Sequence, residues 1–400
     1  MWELEPRIQH YAWGDETVIP AFLGRDGDST PWAEAWYGAH PSAPSLLSGE
    51  HPLDAEIAAR PSAYLGASFE RIFGGRLPYL LKLIAPAKPL SLQVHPNRAH
   101  AAESFAAENA AGLTLEDPAR NYRDDNHKPE MVLALTKFEA VCGFRTPRRA
   151  MQILDGLGTA LSDRLHGLLV QHPTAHGMRA AFRTLVSQAM RPTPDEVAAV
   201  ADACTQRLAA GTSPSQRIDR IVGYLQNHFP GDPGVVAATL LNPVTLHPGE
   251  AMYVPAGAIH AYLSGLGVEI MAASDNVLRA GLTPKKVDAD EMLQCVSVVA
   301  APPLRVAPET LTDTTVAYFA PVDDFELSLT TLNDQAGSYQ PRHRIPGSGP
   351  RILLCLEGDA MVQSGTGRRM LSAGRALFVP GPAGDIHVGG HARIVQASVP

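Results

Sequence analysis

The segment "PGEAMYVPAGAIHAY", residues 248–262, is the most informative sequence pattern for predicting the fold. Its punctuation follows a fixed spacing, in which Gly249, five residues, Pro255, one residue, Gly257 and two further residues lead to His260. Glycine and proline determine where a chain can turn sharply. We therefore predict that a tight Gly/Pro framework places His260 at the start of a β-strand, in a geometry suited to a metal site.

A degenerate copy of the same spacing lies near the C-terminus. The segment "SAGRALFVPGPAGDIHV", residues 372–388, keeps Gly374, five residues and Pro380, but its histidine is shifted to His387. The complete spacing resembles the second motif of the cupin superfamily, whose domains are small double-sheet jelly rolls. The resemblance implies two jelly rolls, of which only the first holds a metal.

Residues 148–230 have a helical pattern that interrupts the β-like sequence. Leucines recur at helical spacing from 154 to 168, and Thr193, Pro194 and Glu196 have the spacing of a capping box. We expect about four helices here. The predicted fold is mainly β with an α-helical insertion. A discontinuous catalytic cupin domain is expected over residues 1–147 and 231–310, a helical domain over 148–230 and a degenerate cupin jelly roll over 311–400.

The bulk composition is that of an ordinary globular protein. The 400 residues include 33 basic and 41 acidic ones, for a net charge of −8, with 45% apolar and 18% charged residues. We find no basic cluster suited to nucleic acid and no apolar run long enough to cross a membrane. The N-terminus lacks a secretory signal pattern, and the four cysteines form no CxxC pair. We expect a cytoplasmic protein, either a monomer or a weak homo-oligomer, without nucleic-acid or membrane partners.

Four side chains suited to binding a metal occur in three β-like segments. In "PLSLQVHPN", residues 89–97, apolar residues alternate with Ser91, Gln93 and His95, which places these three on one strand face. Glu130 begins the apolar run of "DDNHKPEMVLAL", and His260 closes the motif described above. One amide oxygen, two imidazoles and one carboxylate suit Zn²⁺ or a similar divalent ion. Their charges sum to −1, so a bound Zn²⁺ would keep a net positive charge and act as a Lewis acid.

Several segments between residues 11 and 285 together resemble the type I mannose-6-phosphate isomerases. In chain order they are "YAWG", "LPYLLKLIAPAKPLSLQVHPN", "NHKPEMVLAL", "PGEAMYVPAGAIHAYLSG" and "VEIMAASDNVLRAGLTPK". The resemblance implies one zinc ion per chain, held by Gln93, His95, Glu130 and His260. These are the same four residues that the ligand chemistry selects.

The resemblance also implies a reaction, the reversible isomerisation of mannose 6-phosphate and fructose 6-phosphate through a metal-stabilised cis-enediol intermediate. The substrate would be a small-molecule sugar phosphate. By resemblance Arg279 faces the enediolate or the phosphate, since a planar and permanently charged guanidinium suits either group. Lys285 supplies a second cation, and Ser91 is a candidate phosphate donor on the face of Gln93.

The sequence leaves the catalytic base open. The candidates are Glu269, Asp275, Tyr262, His127 and Lys128. Glu269 lies in an apolar run, where burial could raise its pKa, and we favour a proton relay that includes Glu269 or Lys128. Asp275 could instead orient a ligand histidine or cap a turn, and Tyr262 could bind a sugar hydroxyl.

Two other classes of function compete with this interpretation. A different metal-dependent cupin enzyme, such as an oxygenase, would use a His-rich ligand set suited to iron, whereas this set includes a glutamine and is accompanied by Arg279 and Lys285. A non-catalytic sugar-phosphate-binding protein built on a decayed isomerase would be expected to lack part of the ligand set. The set is complete, so both alternatives are disfavoured.

Overall fold

The computed structural model describes residues 1–335 and 337–400. Within these residues the chain is mainly β-structure, with strands arranged in three sheets and helices concentrated in the middle of the chain. The prediction of a mainly β fold with a helical insertion is therefore confirmed.

The first part of the chain supplies half of the strands in the two sheets that surround the site. Its strands are β1 (Trp2–Glu5), β2 (Arg7–Gln9), β3 (Glu34–Gly38), β4 (Leu46–Leu47), β5 (His51–Pro52), β6 (Tyr79–Ile84), β7 (Leu92–Val94), β8 (Glu130–Ala134) and β9 (Phe138–Phe144). Its helices are α1 (Val18–Phe22), α2 (Leu53–Ala59), α3 (Pro61–Leu65), α4 (Ala67–Phe73) and α5 (Arg98–Ala110). Every residue of β6 and β8 is buried, as expected for strands covered on both faces.

The middle of the chain is helical. It forms α6 (Pro147–Leu154), α7 (Ala160–Gln171), α8 (Ala175–Val186), α9 (Pro194–Ala209) and α10 (Gln216–His228). The expectation of about four helices was one too few, because the leucine repeat from 154 to 168 is divided between α6 and α7. Gly156 and Gly158 adopt positive φ angles of 71° and 65°, which an α-helix cannot contain, and Thr159 caps the new helix.

The capping box predicted at the start of α9 is confirmed. The Thr193 backbone N–H donates to Glu196 Oε2 at 2.8 Å, and the Glu196 N–H donates to Thr193 Oγ1 at 3.3 Å. Pro194 occupies the first helical position, where no N–H donor is needed.

After the helices the chain returns to the two sheets that build the site. This part forms α11 (Gly234–Ala237), a 3₁₀ turn (Ala238–Leu240), β10 (Leu241–Leu246), β11 (Ala251–Val254), β12 (His260–Ser264), β13 (Gly267–Ala272), β14 (Leu278–Gly281), α12 (Ala289–Cys295) and β15 (Leu304–Val306). One sheet has the strand order β10-β9-β12-β7-β14, and the other has the order β15-β11-β8-β13-β6-β3-β2. Apolar residues of both sheets share one core cluster, so the sheets pack face to face.

The C-terminal part forms a separate, mostly antiparallel sheet. Its elements are β16 (Glu309–Thr310), β17 (Thr315–Tyr318), β18 (Glu326–Asn333), β19 (His343–Ile345), β20 (Ser348–Ser364), β21 (Gly367–Ser372), β22 (Ala376–Val379), a 3₁₀ turn (Gly381–Ala383) and β23 (Ile386–Val399). β1 pairs with β22 through Trp2 and Phe378, so the first strand of the chain belongs to this sheet. That pairing joins the two ends of the chain.

No helix in the described ranges combines the length and apolarity needed to cross a bilayer. All four cysteines are free thiols, and three of them are buried.

Candidate metal centre and active-site cavity

Three buried side chains converge between the two packed sheets. His95 follows β7, His260 begins β12 and Glu130 begins β8, and the three are 1%, 0% and 2% exposed. One ligand atom from each lies within 4.8 Å of the others. The turn of the Gly/Pro motif is tied directly to this centre, because the Gly257 backbone N–H donates to His95 O at 2.8 Å. Gly257 has a φ of 80°, which favours glycine at this position.

The hydrogen bonds of the two imidazoles direct their free nitrogens at Glu130. His95 Nδ1 lies 2.8 Å from Asn276 O, and His260 Nδ1 lies 3.0 Å from Ala258 O, so each Nδ1 carries the proton. The two Nε2 lone pairs then face the Glu130 carboxylate, each 3.2 Å from one of its oxygens. His95 Nε2 and Glu130 Oε2 have no hydrogen-bond partner among the described residues.

This arrangement fits a bound cation. Buried acceptors that face one another without a donor are unfavourable, and a divalent ion between them satisfies all of them. Burial lowers the pKa of His95 to about 4, although the Glu130 charge opposes this, so the imidazole is neutral and can coordinate. Burial would raise the pKa of Glu130, but Lys128 and His95 hold it well below its usual range.

Gln93 lies beside the three ligands, with its amide nitrogen rather than its amide oxygen directed at the centre. Its register partner across the strands is His260, and its Nε2 atom lies 3.4 Å from His260 Nε2. A half-turn of the amide exchanges nitrogen and oxygen, and the two cannot be distinguished by shape alone. In that orientation Gln93 Oε1 faces the centre.

A cavity of about 670 Å³ opens next to this centre. Most of the predicted site residues line it: Ser91, Gln93, Lys128, Glu130, Tyr262, Glu269, Asp275, Arg279 and Lys285. His95 and His260 lie behind the wall and are not among the lining residues. Lys128 Nζ is 3.1 Å from Glu130 Oε1, which places an ammonium group beside the metal ligands.

Arg279 and Lys285 border the cavity without a carboxylate partner among the described residues, unlike Lys82 and Lys128, which pair with Glu269 and Glu130. Arg279 lies on β14 opposite Gln93, and Lys285 follows it on the connection to α12. Burial and the nearby Arg123 lower the pKa of Arg279, while burial and Arg279 lower that of Lys285. Both side chains are thus partly desolvated in a field of like charge, which an anion would relieve.

Comparison with known proteins identifies the family. The family description "Phosphomannose isomerase type I, catalytic domain" matches residues 1–147. The mannose-6-phosphate isomerase of Escherichia coli K12 is 36% identical over 402 residues, which covers 99% of each chain. The chain belongs to the type I phosphomannose isomerase family.

Other members of the family align with nearly all of this chain. Mannose-6-phosphate isomerase 2 of Arabidopsis thaliana is 32% identical over 97% of this chain and 90% of its own. A zinc-bound crystal structure of mannose 6-phosphate isomerase aligns with a TM-score of 0.88 at 33% identity, covering 100% of this chain and 99% of that one.

The fold of this phosphomannose isomerase family member places a charged cluster in the cavity that sequence reasoning missed. Lys82 Nζ lies 3.3 Å from Glu269 Oε2 and 3.7 Å from Glu34 Oε2, and it sits 5.0 Å from the centre of the Trp36 ring. The Trp36 indole N–H donates to Glu34 Oε2 at 2.6 Å. A lone lysine inside the buried strand "YLLKLI" was the available signal, because such a charge is rarely buried without partners.

The environment of Glu269 moves the pKa of its carboxyl group towards neutrality. Burial, and then the charge of Glu130, raise its pKa to about 7, against the opposing effect of Lys82. Two carboxylates beside Lys82 outweigh the effect of burial and raise the lysine pKa. Glu269 therefore titrates in the range in which a proton carrier is most effective.

His127 does not line the cavity. Its Nε2 atom lies 2.8 Å from Asp324 Oδ2 and 2.6 Å from Arg98 Nη2, so the ring is bound to the C-terminal part of the chain. No local sequence pattern indicates this contact, since His127 and Asp324 are almost two hundred residues apart.

Asp275 and Tyr262 line the cavity at different depths. Asp275 is partly exposed, and its Oδ1 atom lies 3.5 Å from His40 Nε2. Tyr262 is buried, and its hydroxyl has no hydrogen-bond partner in the described residues. Burial, followed by the charges of Glu269 and Glu130, raises the pKa of Tyr262, so this phenol remains a hydrogen-bond donor.

Proposed function

We propose that this chain catalyses the reversible interconversion of mannose 6-phosphate and fructose 6-phosphate with one bound zinc ion. The observation that carries the proposal is that a single cavity is bordered by the His95–Glu130–His260 centre, by a carboxyl group that titrates near neutrality and by two unpaired cations. Relatives of the same length carry the name mannose-6-phosphate isomerase.

We assign the zinc ligands to His95, Glu130 and His260, with the Gln93 amide oxygen as the fourth. When bound, the zinc ion would supply a Lewis acid for the oxygen atoms of the substrate. The Asn276 and Ala258 carbonyl groups fix the imidazole tautomers, so both Nε2 atoms face the centre. Lys128 balances the carboxylate charge of Glu130.

We assign phosphate binding to Arg279 and Lys285, with the Ser91 hydroxyl as a further donor. All three border the cavity, and the cations lack carboxylate partners in residues 1–335 and 337–400. A doubly charged phosphate would offset the repulsion between them. This assignment fixes one end of the sugar and directs its reactive carbons towards the buried end of the cavity.

We assign proton transfer between C1 and C2 to Glu269, with Lys82 as its partner. Aldose–ketose isomerisation requires a group that removes a proton from one carbon and returns it to the neighbouring one. A carboxyl group with a pKa of about 7 can do both near neutral pH. Lys82 lies close enough to stabilise the carboxylate form after the proton has left.

Three further residues receive subordinate roles. Lys128 remains a candidate for a proton relay, because it borders both the cavity and Glu130. Tyr262 is assigned to a sugar hydroxyl and Asp275 to the rim of the cavity. His127 is assigned an indirect role, because its ring is held by Asp324 rather than directed into the cavity.

We further propose that the two sheets around the site form one cupin-type jelly roll and that the C-terminal sheet forms a second, metal-free one. The proposed domains are 1–147 with 231–310, then 148–230 and 311–400. Strand β15 pairs with β11, which supports a boundary near residue 310. The free thiols support a reducing, cytoplasmic location.

The direct test is to incubate the purified protein with mannose 6-phosphate and measure fructose 6-phosphate in a coupled assay. The matched control substrate is unphosphorylated mannose, which lacks the group assigned to Arg279 and Lys285. We expect rapid turnover of the phosphate ester and far slower turnover of the free sugar. Failure of folded, zinc-loaded protein to produce fructose 6-phosphate would overturn the assignment.

A further inference from the structure

A second cluster of metal-binding side chains lies outside the cavity. His100 is on α5, while Glu291 and Cys295 are one turn apart on α12. One ligand atom from each of the three lies within 4.8 Å of the other two. His100 Nε2 is 2.7 Å from Glu291 Oε1. All three residues of the cluster are partly exposed.

Tyr122 completes this cluster as a donor. Its hydroxyl lies 2.5 Å from Glu291 Oε1 and 3.5 Å from Cys295 Sγ. The residue is 1% exposed, so the cluster has a buried inner side and a partly open outer side. A solvated ion can therefore reach the three ligand atoms without unfolding either helix.

We propose that His100, Glu291 and Cys295 form a second metal site, for a thiophilic divalent cation of the zinc or cadmium class. Imidazole nitrogen, carboxylate oxygen and thiolate sulfur are all zinc ligands, and a water molecule on the open side would complete a tetrahedron. The proposal stands independently of the isomerase assignment, which uses none of these residues.

Binding requires a small movement, the loss of one proton from Cys295, and a change of the His100 tautomer, in which the proton that Nε2 donates to Glu291 Oε1 is replaced by one on Nδ1 so that Nε2 can coordinate. Zinc bonds of about 2.0 Å to nitrogen and oxygen at a tetrahedral angle set those two atoms roughly 3.3 Å apart, so the His100–Glu291 contact must widen slightly. Burial raises the pKa of Cys295 to about 11, against the effect of Tyr122. The S–H bond therefore breaks as the S–metal bond forms, and the proton passes to solvent.

The position of the cluster connects it to the cavity. The Ser297 backbone N–H, just after α12, donates to Gly257 O at 2.9 Å, and the Gly257 N–H donates to His95 O at 2.8 Å. α12 also follows the connection that carries Lys285. A metal at the second site would hold α12 against α5, next to the segment that contacts the turn at Gly257.

The test is to saturate the full-length protein with Co²⁺ in place of zinc and record its near-ultraviolet absorption. Thiolate-to-cobalt charge transfer reports a sulfur ligand, and the ligand set proposed in the cavity contains no sulfur. We expect the wild type to bind two equivalents of cobalt and to show the charge-transfer band. Cys295→Ser should bind one equivalent and lose the band.

Cys355→Ser is the matched control, because Cys355 is a free thiol in the C-terminal sheet. It should retain both the band and the second equivalent. His100→Ala keeps the thiol and should weaken cobalt binding at the second site alone, with circular dichroism to establish folding. Absence of the band in the wild type, or its persistence in Cys295→Ser, would overturn the proposal.

Discussion

Lys82 and Glu269 form a buried ion pair, with Nζ 3.3 Å from Oε2 and side chains only 6% and 3% exposed. The pair lies on adjacent strands, β6 and β13, directly opposite each other in the sheet. Glu34 and Trp36 enclose the lysine on its other side. These contacts hold the Glu269 carboxyl group in one position against the cavity.

The first prediction concerns this carboxyl group. Glu269→Gln should lower kcat by about 10²- to 10⁴-fold, because an amide of the same shape cannot carry the proton. The wild-type kcat/KM should fall as the pH drops below about 7, since the working form of the base is deprotonated and its pKa is raised to about 7. A full pH–rate profile of both proteins checks this. If kcat/KM of the variant still fell at the same acidic pH as that of the wild type, the catalytic base would be another group.

The second prediction concerns the anion-binding end. Arg279→Ala should lower kcat/KM by roughly 10- to 150-fold, the equivalent of one charge-assisted hydrogen bond. Arg220→Ala on α10 is the matched control, because that side chain is exposed and donates only to Gln216. Steady-state kinetics with mannose 6-phosphate distinguishes the two. Equal effects of both substitutions would refute the assignment.

The third prediction concerns the metal ligands. His260→Ala should lose the zinc held at the cavity and its activity while remaining folded, because the side chain is buried but occupies a polar centre. His247→Ala, at an exposed position, should retain both. Elemental analysis after desalting, combined with the coupled assay, measures the two effects. Full activity in metal-depleted His260→Ala would show that the centre is not the site of chemistry.

The fourth prediction concerns the C-terminal sheet. Asp324 is 4% exposed, and its carboxylate lies within 3 Å of both His127 Nε2 and Arg98 Nη2, at 2.8 and 2.9 Å. Asp324→Ala should release the segment that carries Lys128 and Glu130, with a loss in kcat of up to about 100-fold from misplacement. Because the effect is on geometry, KM should change less than kcat.

Asp323→Ala is the matched control for that change. Asp323 is exposed and adjacent in sequence, so its removal should leave both kinetic constants unchanged. Thermal unfolding of both variants separates a positioning effect from general instability. If kcat fell only in proportion to the fraction of the variant that remains folded, the positioning role of Asp324 would be contradicted.

Local sequence patterns predicted the elements that local forces determine. The capping box at Thr193 depends on residues only three positions apart, and this prediction was confirmed. The leucine repeat did not indicate the additional helix, because the spacing of leucines does not show where one helix ends and the next begins. Two glycines with positive φ divide the repeat into α6 and α7.

Long-range relationships were beyond the reach of the sequence. The pairing of β1 with β22 joins residues at opposite ends of the chain. The contact between His127 and Asp324 likewise depends on how the C-terminal sheet packs. Lys82 was overlooked because one charge in an apolar strand acquires meaning only once Glu34 and Glu269 are seen to flank it.

Mannose-6-phosphate isomerase activity should be measured before chelation, after chelation and after zinc is returned. We expect activity to disappear with the metal and to return with zinc, in the wild type and in Cys295→Ser alike, because the ligand set proposed for the cavity contains no sulfur. Undiminished isomerase activity in fully metal-free protein would show that the zinc centre is not required for the reaction.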